Sequence, residues 1–79
     1  MSRTEIFERL SLIFRDVFDN EDIVLEEKTT ANDIDEWDSL THIMLIAEVE
    51  SAFDVKFAMK DVVGFKNVGE MADVIAGGQ

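Results

Sequence analysis

Asp38-Ser39-Leu40 is the segment best equipped for chemistry: a hydroxyl entering an apolar helical pattern straight after an acidic stretch. Thr29 to Val55 holds seven acids (Asp33, Asp35, Glu36, Asp38, Glu48, Glu50, Asp54) and no Lys or Arg. The serine thus enters a helix in an anionic surround, with no base poised to deprotonate it. Such a residue suits modification by another protein better than catalysis of its own. Taken alone, a serine before a helix is most often an N-cap.

Two rival chemistries start from the same residues. His42, the single histidine, lies three residues after Ser39, and positions i and i+3 are helical neighbours. A hydrolase also needs an oxyanion hole and an acid to orient the imidazole. The G-x-S-x-G elbow is missing, and His42 falls on the core stripe, so no catalytic residue is assigned. Asp33, Asp35 and Asp38 invite a calcium loop, but its sixth position needs Gly and its twelfth Glu. Counted from Asp33, those positions are Asp38 and Met44, so no metal site is expected.

The helix that presents Ser39 should begin at Asp38 or Ser39 and run to about Phe53. At 100° per residue, His42, Leu45, Ile46, Val49 and Phe53 form its core stripe, while Leu40, Thr41, Met44, Ala47 and Glu48 face solvent. Leu40 and Met44, two large apolar residues a turn apart beside acids, suggest a docking surface. Before this helix, Ser2 and Glu5 have capping-box spacing, and Ile6, Leu10, Ile13, Phe14 and Val17 form one stripe widened by Phe7 and Phe18. Asp19-Asn20-Glu21-Asp22 ends that pattern. A long connection of about twenty residues follows, pinned by Ile23, Val24, Leu25, Ile34 and Trp37.

After Asp54-Val55-Lys56-Phe57, with Phe57 returning to the core, Met59 to Gly64 reads as one short helical turn. Asn67 and Glu70 repeat the capping-box spacing and open a last helix through Met71, Val74 and Ile75, stopped by Gly77-Gly78. The expected fold is all-α: one domain over 1–79, an antiparallel bundle of three main helices and one short helix.

Composition narrows the partners. The 79 residues carry 18 acids against 7 bases, a formal charge of −11, which repels phosphate backbones and anionic membranes and favours basic protein surfaces. Nucleic acid and membrane partners are therefore not expected. There is no Cys, so thiol chemistry would have to arrive on a cofactor. No apolar run approaches the roughly 20 residues of a membrane span, and the N-terminal stretch lacks a signal peptide's apolar run. A soluble, cytoplasmic monomer is expected.

Asp38-Ser39-Leu40 at the start of the second helix, in about eighty residues of this helix order and acidity, resembles the acyl carrier protein family. The likeness spans nearly the whole chain: Phe53-Asp54-Val55-Lys56-Phe57 resembles the end of the family's second helix, and Asn67-Val68-Gly69-Glu70 the opening of its last. The resemblance implies that Ser39 carries 4′-phosphopantetheine, transferred from coenzyme A by a phosphopantetheinyl transferase. The arm's thiol would hold acyl or aminoacyl groups as thioesters. Its phosphodiester would lie near a helix N-terminus, whose free N–H groups and dipole favour negative charge.

By the same resemblance Asp38 helps hold the transferase, Leu40 and Met44 enter partner pockets, and Glu48 adds charge. His42, Leu45 and Val49 would line an acyl cavity. The other partners implied are acyl-activating, ketosynthase or acyltransferase-type enzymes. Uncharged Thr41 and Met44, and Trp37 before Asp38, set the chain apart from fatty-acid carriers and resemble free-standing carriers of specialised pathways. The alternative is an unmodified acidic helical module that binds a basic partner.

Overall fold

A computed structural model describes residues 1–77 as four helices: α1 (Arg3–Val17), α2 (Ser39–Phe53), α3 (Met59–Gly64) and α4 (Val68–Gly77), with a 3-10 turn at Ala31–Asp33. No strand occurs among the described residues. Of the expected Gly77-Gly78 stop, Gly78 lies outside them.

Local chemistry accounts for each helix start and stop. Ser2 and Glu5 form the capping box of α1: the Ser2 side chain accepts from the Glu5 amide. Asp38 caps α2, accepting the Leu40 and Thr41 amides at 3.0 and 2.9 Å. Asn67 Oδ1 accepts the Glu70 amide at 2.9 Å, whereas the Glu70 side chain reaches one residue further back, to the Lys66 amide at 3.0 Å. Asp54 ends α2 in the left-handed region (φ 54°). Those dihedrals turn the chain out of the right-handed helix, which stops it at once.

Ile6, Leu10 and Phe14 of α1, Leu45, Ile46, Val49 and Phe53 of α2, and Met71, Ala72 and Ile75 of α4 interlock as the core. Phe18 is more deeply buried than Val17, which stays half-buried. In the long connection Ile23, Ile34 and Trp37 are buried, but Val24 points outward at 72% exposure. Its neighbours in the apolar triplet already fill the inner side.

Phe14 packs edge-on against both Phe18 (5.6 Å between ring centroids) and Trp37 (5.1 Å). This cluster joins the last turns of α1 to the residue just before Asp38, so α1 and α2 run in opposite senses. The contact fixes where α2 begins.

A second tie joins α1, the connection and α4. The Arg3 guanidinium pairs with Glu27 and Asp73, donates to the Gly69 carbonyl at 3.0 Å, and lies over the Phe7 ring. The first amides of α4 are taken up by the connection: Val68 N–H donates to Thr29 O (2.8 Å) and Gly69 N–H to Glu27 O (2.9 Å). A Cβ on Gly69 would stand 2.6 Å from Glu27 Oε1 and 2.8 Å from Glu27 O, so only glycine permits this approach.

Candidate functional site: the entrance of α2

Ser39 is the first residue of α2, exposed to solvent, and its Oγ has no hydrogen-bond partner among the described residues. The N-cap role that a lone serine would suggest belongs to Asp38. Asp38 N–H in turn donates to Thr41 Oγ1 (2.8 Å), which donates to Glu36 O (2.8 Å). The Thr41 amide and hydroxyl, joined by the Leu40 amide, hold the Asp38 carboxyl below the usual aspartate range. These contacts fix the backbone on both sides of Ser39 and leave its hydroxyl unengaged. They also mean that the Leu40 and Thr41 amides are occupied by Asp38, rather than free to receive an anion.

No Ser39–His42 couple exists. His42 Nδ1 accepts from Trp37 Nε1–H at 2.9 Å, and Nε2 meets Val62 O at 2.8 Å, so both ring nitrogens are engaged elsewhere. Trp37 can only donate and a carbonyl can only accept, so the ring is neutral with its proton on Nε2. Among the described residues no group of three His, Asp or Glu side chains is placed to hold a metal.

A cavity of about 770 Å³ opens beside Ser39, walled by Trp37, His42, Ile43 and Ile46 on one side and by Met59 and Val62 on the other. Of the three residues expected to line it, His42 does so. Leu45 and Val49 are fully buried in the core and do not line this cavity. Ile43 and Ile46 occupy that wall instead, because the side of α2 facing α3 is offset from the side facing α1. Periodicity gave no signal for Ile43, which falls between the two expected faces. The cavity is apolar and begins at an unengaged hydroxyl.

On the outer surface Leu40, Ile43 and Met44 are 72%, 66% and 53% exposed, with Met59 and Val63 of α3 at 76% and 77%. Leu40, Met44 and Glu48 thus lie outward as expected, and Ile43 with the two α3 residues extends the patch. No helix among the described residues is long and apolar enough to cross a membrane.

The family profile described as phosphopantetheine attachment site matches residues 8–75. A solution NMR structure of holo acyl carrier protein from Geobacter metallireducens superposes with a TM-score of 0.86 at 46% sequence identity, covering 91% of this chain and 83% of that one. A comparison with curated proteins returned no match. A profile match over most of the chain, joined to a near-identical helix arrangement, places this chain in the phosphopantetheine attachment family, as a carrier protein of the acyl carrier type with a 4′-phosphopantetheine prosthetic group.

Proposed function

We propose that Ser39 is the attachment residue and that the chain is a non-catalytic carrier of acyl or aminoacyl groups. The observation that carries this reading is the exposed, unpartnered Ser39 Oγ at the edge of the apolar cavity. In the loading reaction the Ser39 oxygen forms a bond to the β-phosphorus of coenzyme A as the bond to the 3′,5′-ADP leaving group breaks. The hydroxyl proton passes to a base on the transferase, since no side chain among the described residues hydrogen-bonds the Ser39 Oγ. Once attached, the arm supplies a thiol that carries acyl groups as thioesters.

The residues around Ser39 serve that arm by position. Asp38 fixes the turn. His42, Ile43, Ile46 and Val62 offer an apolar wall that shields cargo from water. The transferase and acyl-activating, ketosynthase or acyltransferase-type enzymes are the partners. They are steered by the acids and held by Leu40, Ile43 and Met44, with Glu48 adding charge. The carrier works as a cytoplasmic monomer.

Intact mass spectrometry after co-expression with a promiscuous transferase tests the assignment. The parent gains the phosphopantetheine mass and Ser39→Ala does not. A gain that persists in Ser39→Ala, on Ser11 or Ser51 for instance, would overturn it.

A further inference from the structure

The short helix α3 is weakly held for a cavity wall. It has six residues, no side-chain cap and no fully buried residue. Its half-buried face is Asp61 and Val62, flanked by the Phe57–Phe65 ring pair at 5.4 Å. Among the described residues, the His42–Val62 bond is the only hydrogen bond that a side chain makes to it. On its other side the same ring accepts from Trp37, and the two rings stack at 5.9 Å with 25° between planes. One imidazole therefore joins α3 to the residue two before Ser39.

Resting on the carrier reading above, we propose that His42 is a positioning residue: it latches α3 onto the approach to Ser39 and keeps the cavity closed around the cargo. The latch works only for the neutral ring. A proton on Nδ1 would face the Trp37 N–H, donor against donor, and that bond breaks. The Nε2–H···O=C bond to Val62 survives protonation, because Nε2 already donates. Acid therefore frees Trp37 and leaves α3 attached, whereas removal of the ring frees both.

The charged groups around the ring are few. Asp38, the cap of α2, and Lys66, after α3, line the same cavity, and Asp61 precedes Val62 on α3. Glu36 lies on the approach segment, and α1 meets Trp37 through the uncharged Phe14 and Phe18. None of these makes a hydrogen bond to the imidazole; its partners are Trp37 and Val62.

Trp37 is the chain's single tryptophan, so its fluorescence reports the latch directly. The test compares the parent, His42→Gln and His42→Phe, first as unmodified protein. Gln can accept and donate at once, but it does not titrate. On acidification the parent should show one step in emission as the Trp37 bond breaks, and both variants none. Amide exchange in α3 should quicken roughly threefold to tenfold in His42→Phe, the range that one net hydrogen bond supplies, and return toward the parent in His42→Gln. With octanoyl-phosphopantetheine attached, thioester hydrolysis should follow the same order.

A pH step that persists in His42→Phe, or α3 exchange equal in parent and His42→Phe, would overturn the latch. If circular dichroism shows that His42→Phe does not fold, His42→Gln decides: a step retained there overturns the proposal. Failure of Ser39 to accept phosphopantetheine is read separately by mass spectrometry. It sinks the carrier reading without touching the fluorescence arms.

Discussion

Two regions of this small bundle handle charge in opposite ways. At Arg3 one cation joins two acids: the guanidinium spans Glu27 and Asp73, and these are the only ion pairs among the described residues. The pairing raises the Arg3 pKa and lowers that of Glu27. At the entrance of α2 no acid forms an ion pair among the described residues, and Leu40, Ile43 and Met44 stand in water. The first region ties the chain to itself. The second leaves its hydroxyl, its acids and its apolar side chains exposed to solvent.

The sharpest way to break this contrast is a pair of alanine substitutions. Gly69→Ala forces a Cβ onto Glu27 and should cost about 1–3 kcal/mol, the usual penalty of overpacking. Ser39→Ala removes no cap and no contact, and should lie within about 0.5 kcal/mol of the parent. Urea denaturation of both variants decides. Equal losses would mean that α2's entrance is as structural as the Arg3 tie.

Met44→Glu probes the outward face in function. A charge placed where an apolar pocket expects methionine should lower turnover with the cognate pathway enzyme about tenfold, or ~1.4 kcal/mol. Modification of Ser39 should stay largely intact. Equal loss in both assays would point to a folding defect, and no loss in either would remove Met44 from the interface.

Asp54→Gly should raise stability by about 0.5–1 kcal/mol, because glycine adopts the left-handed cap without a Cβ clash. A thermal melt checks this, and a lower melting temperature would show that the Asp54 carboxylate matters more than its backbone.

The smallest effect concerns Asp38→Asn, compared with the parent in high salt to mute general repulsion. The folded Asp38 pKa is depressed below its ordinary 3.8. Its stabilisation is therefore complete above that value and is lost as pH falls through the depressed one. The parent's advantage over Asp38→Asn should shrink below about pH 4. An advantage constant down to pH 2 would mean the Asp38 charge contributes nothing to the cap.

What the sequence revealed and what it hid follow from distance along the chain. The bounds of α2 and α3 and the Ser2–Glu5 box are local, set by neighbours within a turn, and were legible. So was the family, since the segments that carry the resemblance, Asp38-Ser39-Leu40 among them, are each contiguous. Serine and aspartate both cap helices well, so propensity could not decide that Asp38 takes the role and Ser39 is left free. Leu45 and Val49 share a wheel face with His42, yet α3 lies to one side of that face and selects Ile43 and Ile46. The Arg3 tie joins residues 24 and 70 positions apart, which no period or spacing reports.

The acceptance of the Val68 and Gly69 amides by Thr29 and Glu27 bears on how fast the chain folds and unfolds. Those bonds link segments about forty residues apart, and closing so wide a loop costs entropy before any contact repays it. The opening turn of α4 should thus settle late, after α1 and α2 have met through Phe14 and Trp37. Interactions absent from the folding transition state govern the unfolding rate. Loosening Arg3 or Gly69 should then shorten the native lifetime while leaving the refolding rate almost unchanged, so the tie acts chiefly as a brake on unfolding.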